Sequence, residues 1–517
     1  MAFLPEADMA TAQKPLWTPT RIVLALTAAK LLLHFAAFRG YGIFRDELYY
    51  LACSRHLDWG YVEFPPMIAA LTRAVTATLG DSLFAIRLLP AVAGGLLVVL
   101  TALIARELGG GRFAQFLAGL SVIVAPGWLS IDHILNTNAF EPLCWAGCAW
   151  VAIRAIRSGD GRYWLAFGAI AGLGLLNKHG TLFFGFGMTA GLLLTPARKV
   201  LARPYLWIGG AIAGLLFLPN ILWEIRWGWP TLEFLGNAVK YKNAVLTPWQ
   251  FLTAQLLLTA PAILVWLAGL WFYFFNERGK QYRALGWAYI VMYAVLYVLH
   301  GKDYYLLPAY PMLFGAGGPM LEELIARKSW NWLKPALAAA MLLFGAIAAP
   351  LAIPILPVQI FIRYAAILGI QNVEERHKMG VLPQFYADMF GWQNMSEQVA
   401  KVFHDLPPED QAHAAIFGRN YGESAAIDYF GPHLGIPNAI GGHNNYFLWG
   451  PGNFDPGVMI VIGGSGVGPR KIFEDVQPAG KITYPYVMPY EDNLTIWVCR
   501  KPRVSLHAWW PKVKDYI

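Results

Sequence analysis

The sequence is dominated by apolar stretches long enough to cross a lipid bilayer. Of the 517 residues, 57% are hydrophobic and 14% are charged, and the mean hydropathy is +0.43. Soluble domains carry roughly a quarter charged residues, so a soluble core could not bury this many apolar segments. A spanning helix needs about 20 mostly apolar residues, and about 11 stretches qualify. They are 20–39, 83–105, 112–130, 138–156, 163–177, 180–196, 205–223, 249–275, 283–299, 304–322 and 335–356.

Basic residues concentrate in alternate loops between these stretches. Because cytoplasmic loops carry the excess of Lys and Arg, this pattern predicts a cytoplasmic N-terminus in a bacterial-type inner membrane. The net charge of +8 is then explained by topology, and we expect no nucleic-acid partner. The basic residues are Arg106, Arg112, Arg154, Arg157, Arg162, Arg198, Lys199, Arg203, Arg278, Lys280, Arg283, Arg327, Lys328 and Lys334.

The predicted topology divides the chain into three parts. Residues 1–19 lack the features of a secretory signal and are predicted to be a cytoplasmic tail. Residues 20–356 form a polytopic helical membrane domain, whose first external loop is 40–82. Residues 357–517 change character and are predicted to be an extracytoplasmic α/β domain.

Short apolar runs bounded by turn signals support the α/β interpretation of the C-terminal part. We predict strands at 414–417 and 458–462, and helices near 396–403 and 422–429. The glycine-rich run 462–468 follows a strand, but Pro469 stands where a dinucleotide-binding turn needs glycine. We therefore predict an ordinary strand-to-loop turn there. The four cysteines form no recognisable metal or disulfide framework.

An acidic pair, Asp46-Glu47, follows the first apolar stretch in the first external loop. Ionisable groups close to a membrane are costly and indicate function by default. A carboxylate can act as general base on an acceptor hydroxyl or amine. Nearby Lys and Arg side chains can hold a phosphate and stabilise its charge as it leaves. This combination favours transfer of a group from a lipid phosphate.

Other side chains of the external loops are candidate contacts for substrate. The histidines among them could bind a divalent cation if they converge, so a metal is open but no cofactor is required by the sequence. The candidate substrate contacts are Arg45, Tyr49, Glu63, His133, Lys178, His179, His300, Lys302 and Tyr305. The candidate catalytic residues are Asp46, Glu47 and Asp132.

Three segments resemble a known family. Residues 45–50 read Arg-Asp-Glu-Leu-Tyr-Tyr, residues 63–66 read Glu-Phe-Pro-Pro, and residues 301–308 read Gly-Lys-Asp-Tyr-Tyr-Leu-Leu-Pro. Together with 172–180, they are similar to the protein O-mannosyltransferase-like bacterial glycosyltransferases, a group that includes the lipid A aminoarabinose transferases. The resemblance covers roughly 20–325 and implies the GT-C architecture. It also implies inverting transfer of a sugar from a polyprenyl-phosphate donor.

The resemblance also implies roles for individual residues. It places the catalytic carboxylate on Asp46, with Glu47 beside it, and a second acidic residue on Asp132. Lys178 matches the phosphate-contacting lysine of the family. Where the aminoarabinose enzymes have Lys before the double proline, this chain has Phe64. The missing phosphate contact could come from Arg45, Lys178 or Lys302.

Two other classes of protein compete with the enzyme interpretation. A multi-pass transporter or flippase should carry ionisable residues along its spans. The predicted spans are nearly free of charge apart from Lys30, Arg87 and residues at the helix ends. A scaffold would give no reason for charged residues to gather at one membrane face. The sugar stays open, and so does the acceptor: an envelope lipid such as lipid A, a glycan or a protein.

Overall fold

The computed structural model describes residues 18–38, 40–243, 245–370, 380–452 and 457–517. Residues 1–17 of the predicted cytoplasmic tail lie outside the described residues. The first two-thirds of the chain forms a bundle of helices connected by short loops. Its helices are α1 (Pro19–Ala37), α2 (Arg45–Arg55), α3 (Met67–Leu79), α4 (Leu83–Glu107), α5 (Arg112–Val124), α6 (Pro126–Ile131), α7 (Glu141–Ser158), α8 (Tyr163–Asn177), α9 (Thr181–Leu193), α10 (Pro204–Arg226), α11 (Pro230–Asn237), α12 (Pro248–Leu258), α13 (Ile263–Phe275), α14 (Arg283–Val298), α15 (Tyr310–Arg327), α16 (Leu333–Ala352) and α17 (Val358–Ile367).

The described part of the chain contains five helices that are long and apolar enough to cross a membrane, or six if α12 and α13 count as one bent span. Every predicted apolar stretch is helical, which confirms a polytopic helical protein, but several stretches are short or broken. The stretch 112–130 is interrupted at Ala125-Pro126, and α12 meets α13 at an angle of 85°. The number of about 11 spans therefore stays a prediction.

Ion pairs and a helix cap join the loops at the end of the bundle where the basic residues cluster. Arg157 lies 2.7 Å from Glu107, which connects the α4 and α7 termini. Glu322 accepts hydrogen bonds from the backbone N–H groups of Gly111 and Phe113 at the start of α5. A carboxylate there satisfies donors that have no partner within the helix.

The opposite end of the bundle carries the C-terminal α/β domain. Both predicted strands are present, and the sheet order is β2-β1-β3-β5-β4. The strands β1, β2 and β3 are parallel, whereas β5 is antiparallel to both β3 and β4. The elements are α18 (Gln384–Ala387), α19 (Trp392–His404), α20 (Pro408–Gln411), β1 (Ala414–Gly418), α21 (Tyr421–Leu434), β2 (Ala439–Gly441), α22 (Asn445–Trp449), β3 (Val458–Ile462), α23 (Val467–Arg470), β4 (Phe473–Ile482), β5 (Leu494–Pro502) and α24 (Leu506–Trp509).

The first loop of the bundle and the C-terminal domain share one hydrophobic core. Leu48 and Cys53 of α2 and Ile68 of α3 pack in the same buried cluster as Ile427 of α21 and Ile460 of β3. Burying this apolar surface holds α2 against the domain. The N-terminal end of α2, with the acidic pair, therefore lies between the helical bundle and the α/β domain.

Candidate active site

Asp46 lies in the first turn of α2, where a carboxylate is favoured by the helix dipole. One of its oxygens, Oδ1, accepts a hydrogen bond of 2.7 Å from the Tyr421 hydroxyl. Its side chain is 36% exposed, so the other oxygen can meet a ligand. Asp46 is thus held by one bond and remains accessible, which is the arrangement that a general base needs.

Aromatic rings fix Tyr421 in its position beside Asp46. Its ring stacks on Tyr49 of α2 at 4.7 Å and on His443 at 5.1 Å. The Arg45 guanidinium lies 5.1 Å above the same ring. These three contacts restrict rotation of the Tyr421 ring, so its hydroxyl stays directed towards Asp46.

Glu63, from the loop between α2 and α3, lies beside this stack. It accepts hydrogen bonds from the Tyr49 hydroxyl at 3.1 Å and from Asn444 Nδ2 at 2.5 Å. Burial raises the pKa of Glu63 to about 7, against the two hydrogen bonds, which lower it. The nearby Asp46 carboxylate also raises this pKa. A carboxyl group with a pKa near neutrality can exchange protons during a reaction.

Asn444 connects Glu63 to the end of the chain. Its backbone has a φ of 49°, a left-handed conformation that Asn tolerates better than most residues. Its Oδ1 accepts a bond of 3.2 Å from the backbone N–H of Ile517. The last residue is therefore tied to the same cluster as Glu63.

Lys178 lies in the turn between α8 and α9 and has three partners. Its Nζ is 3.1 Å from Glu141 Oε2, donates to Asn138 Oδ1 at 2.6 Å, and lies 4.3 Å from the centre of the Tyr305 ring. An ammonium group has three N–H donors, so one remains for a phosphate oxygen. Glu141 is buried and balances the charge of Lys178 when no phosphate is bound.

The Asp46 and Lys178 clusters adjoin each other through aromatic residues. The rings of Tyr304 and Tyr305 meet edge to face at 4.9 Å. Tyr304 interacts electrostatically with both Asp46 and Lys302, whose Nζ lies 5.9 Å from the Tyr304 ring. Tyr304 and Tyr305 thus connect the acidic residue Asp46 with the basic residues Lys178 and Lys302. A carboxylate and ammonium groups are the two kinds of group that transfer from a phosphate requires.

Glu47, in contrast, serves the framework. Its side chain is fully buried, and Arg87 of α4 donates to both of its oxygens at 3.0 and 2.9 Å. It also accepts bonds from the backbone N–H groups of Phe44 and Leu135. All of these hydrogen bonds join Glu47 to buried groups of the protein, so its carboxylate is inaccessible to an acceptor. This geometry supports a structural role for Glu47 and not the catalytic role predicted for it.

Asp132 and His133 lie in a separate buried cluster. Asp132 Oδ2 forms an ion pair of 2.8 Å with Lys30 of α1. The His133 ring stacks on His34 at 6.2 Å. Among the described residues, the structure shows no contact of Asp132 with Asp46 or Lys178. Asp132 therefore compensates the charge of Lys30 within the bundle, a position that does not support the catalytic role predicted for it.

The three histidines that could have bound a cation if they converged do not do so. His133 is in the bundle, His179 hydrogen-bonds Asn220 Oδ1 at 3.3 Å, and His300 lies exposed after α14. Across the described ranges, no group of three or more His, Cys, Asp or Glu side chains could hold a metal ion. The contact of His300 with substrate stays a prediction.

Phe64 occupies the position at which this chain departs from the family pattern. Its side chain packs among other aromatic rings. It packs against Tyr50 at 5.1 Å and Tyr61 at 5.0 Å. Arg45, one candidate replacement for the missing lysine, is engaged by Asp388 at 3.7 Å and by the Tyr490 hydroxyl at 3.1 Å. Lys178 and Lys302 are left as the better-placed phosphate contacts.

Sequence reasoning missed the residues that the C-terminal domain contributes, chiefly Tyr421, His443 and Asn444. They are separated from Asp46 by most of the chain, and no local motif marks them. The partners of Glu47 and Asp132 could have been found. Arg87 and Lys30 are isolated cations in apolar stretches, and each needed a buried anion.

Known proteins resemble this chain in both sequence and fold. Residues 63–223 match the family model described as dolichyl-phosphate-mannose-protein mannosyltransferase. The lipid A galacturonosyltransferase RgtD of Rhizobium johnstonii is 29% identical over 247 residues, which are 46% of this chain and 50% of that protein. The match thus spans half the length of this curated relative.

The fold is similar to that of ArnT from Cupriavidus metallidurans. The apo structure superposes with a TM-score of 0.60 at 16% identity, covering 93% of this chain and 98% of that one. The structure of ArnT bound to undecaprenyl phosphate gives a TM-score of 0.59 at 15% identity, covering 92% and 97%. The chain therefore has the fold of ArnT, which is the GT-C fold that the sequence resemblance implies. The predicted resemblance to the protein O-mannosyltransferase and lipid A aminoarabinose transferase group is confirmed by these sequence and structure matches.

Proposed function

We propose that this protein transfers a sugar from a polyprenyl-phosphate donor to an envelope lipid of the lipid A type. The observation that carries the proposal is an accessible carboxylate, Asp46, connected through Tyr304 and Tyr305 to the side chains of Lys302 and Lys178. ArnT binds undecaprenyl phosphate in one of its structures, and RgtD is a lipid A galacturonosyltransferase. These two relatives support the donor and acceptor classes.

The proposed reaction is one displacement at the anomeric carbon. Asp46 accepts the proton of the acceptor hydroxyl as its oxygen attacks C1 of the sugar. The bond from C1 to the phosphate oxygen breaks on the opposite face, and the phosphate keeps the electron pair. Lys178 and Lys302 stabilise the negative charge that develops on that phosphate. The product has inverted anomeric configuration.

We further propose that the domain 357–517 faces the extracytoplasmic side and completes the site. Tyr421 and Asn444 of that domain contact Asp46 and Glu63, respectively. The basic loops at the other end of the bundle support this orientation. The site would then open where envelope acceptors are found.

Comparison of envelope lipids by mass spectrometry tests the substrate classes. A strain lacking the gene is complemented with wild type, Asp46→Asn or the control Asp160→Asn, a surface carboxylate paired with Arg162. Wild type and Asp160→Asn should restore a sugar on lipid A, whereas Asp46→Asn should not. A hexuronic acid is the first mass to seek, because RgtD transfers galacturonate. Unchanged lipid A in all strains contradicts this acceptor.

The transporter alternative predicts a different outcome in purified protein. The cations inside the predicted spans and away from their ends, Lys30 and Arg87, are paired with Asp132 and Glu47. They therefore do not offer a charged path to a solute. Release of free polyprenyl phosphate by the purified protein supports the transferase. Movement of the intact donor across vesicles without its cleavage supports the transporter.

A further inference from the structure

A cavity of about 350 Å³ opens between α2 and α3, away from Asp46. Its walls are one face of each helix, because the lining positions recur at spacings of three and four residues. The lining residues are Leu51, Ser54, Arg55, Arg73, Thr76, Ala77, Gly80 and Asp81. We propose that this α2–α3 cleft binds the phosphate-bearing headgroup of an acidic lipid.

The charges of the cleft favour an anion. Arg55 and Arg73 come from opposite walls, and Asp81 is the acidic residue among the lining side chains, so the lining carries a net positive charge. Arg55 is oriented by a bond of 3.0 Å from its Nη1 to the backbone oxygen of Asp428. The structure shows no ion pair of Arg73 with any residue it describes. Two guanidinium groups facing one cavity suit the oxygens of a phosphate.

The surroundings of the cleft favour a lipid over a soluble anion. Leu57 at the end of α2, Leu79 at the end of α3 and Phe84 at the start of α4 are 55%, 56% and 54% exposed. Large exposed apolar side chains beside a basic cavity are typical of helices that lie at a membrane interface. The phosphate would occupy the cleft while the acyl chains contact these residues and the bilayer.

The cleft also has a defined relation to the candidate active site. Asp46 and Arg55 are nine residues apart on α2, which is an axial rise of about 14 Å with the two positions on opposite faces of the helix. An acceptor held by its phosphate in the cleft would therefore have to extend around the end of α2 to reach Asp46. Resting on the proposed function, the cleft would anchor a phosphate-bearing acceptor with one of its hydroxyl groups directed towards Asp46.

Lipid titration of the purified full-length protein tests the cleft independently of turnover. The probe is phosphatidic acid, compared with phosphatidylcholine and inorganic phosphate, and the readout is the dissociation constant. Arg73→Gln removes one charged donor and should weaken phosphatidic acid binding at least about tenfold. Arg73→Lys keeps the charge and should lose less. Arg363→Gln, an exposed arginine on α17, is the matched control and should bind like wild type.

Each outcome decides the proposal. Selective binding of phosphatidic acid that Arg73→Gln weakens and Arg363→Gln leaves intact supports it. Equal affinity of wild type and folded Arg73→Gln overturns it, and so does equally tight binding of inorganic phosphate, which would indicate a soluble anion. Asp46→Asn should keep wild-type affinity for phosphatidic acid. If Asp46→Asn keeps transferase activity while Arg73→Gln loses the lipid, the proposed function fails and the lipid site stands.

Discussion

At the residue scale, the site depends on contacts that orient one carboxylate without enclosing it. Asp46 and Glu47 are adjacent in sequence, but α2 turns their side chains to different surroundings. Glu47 forms a buried ion pair with Arg87. Asp46, in contrast, accepts one hydrogen bond, and its side chain is partly exposed. Because adjacent residues of a helix point in different directions, Asp46 can serve as the base while Glu47 holds the structure together.

Tyr421→Phe tests how Asp46 is oriented. The variant removes the hydroxyl that donates to Asp46 but keeps the ring that stacks between Tyr49 and His443. A hydrogen bond to a charged group contributes about 1.5–3 kcal/mol, so kcat should fall by roughly tenfold or more with little change in stability.

Steady-state kinetics and thermal unfolding provide the measurements for Tyr421→Phe. Tyr484→Phe, a partly exposed tyrosine of the same domain, is the matched control. A wild-type kcat in Tyr421→Phe would show that Asp46 is oriented without the Tyr421 hydroxyl.

At the element scale, the position of α2 is fixed by buried charges at its first turn. Glu47 joins α2 to α4 through Arg87, and to the segment before α7 through the backbone of Leu135. Arg87 also donates to the carbonyl oxygens of Phe38 and Gly42. The elements that surround Asp46 therefore share this ion pair.

Glu47→Gln should destabilise the protein much more than Asp46→Asn. Removing one partner of a buried ion pair leaves the other charge uncompensated and costs about 3–5 kcal/mol. Thermal unfolding in detergent measures the difference. The double variant Glu47→Gln/Arg87→Met should recover part of the loss, because it removes the stranded charge. Equal melting temperatures for Glu47→Gln and wild type would contradict the framework role.

At the scale of the whole molecule, Glu63 connects the first loop with the C-terminal domain and gives that connection a pH dependence. Its pKa of about 7 exceeds the ordinary value of 4.5 because the group is buried. The folded state thus favours protonated Glu63, and this contribution to stability is complete below pH 4.5. It is lost as the pH rises towards 7 and beyond, where the carboxyl ionises in both states.

Glu63→Gln should remove this part of the pH dependence. Its melting temperature relative to wild type should increase between pH 5 and pH 7.5, since the amide does not ionise. Burial lowers the pKa of His443 to about 3, so His443 makes the folded state less stable as the pH falls below 6.5. This contribution is the same in wild type and Glu63→Gln, so the quantity to compare is the difference between their melting temperatures. A constant difference across this range would contradict the raised pKa of Glu63.

The sequence predicts the helical bundle and the α/β character of the C-terminal part, because hydropathy and turn signals are local. The family motifs also indicate Asp46, Lys178 and Tyr305 as site residues, and the structure shows Lys178 in contact with the Tyr305 ring. Their roles stay a prediction. The sequence could not reveal that Tyr421 reaches Asp46. That contact depends on how the domain packs on α2, which no local pattern encodes.

The proton-accepting role of Asp46 in glycosyl transfer is tested most directly with purified protein in vesicles. Wild type and Asp46→Asn receive a polyprenyl-phosphate sugar and a lipid A acceptor, and mass spectrometry follows the glycosylated product. Asp46→Asn keeps the size of the side chain but loses the base, so transfer should slow by about 10²–10⁴-fold. Transfer at a near wild-type rate by folded Asp46→Asn protein would contradict the assignment of Asp46.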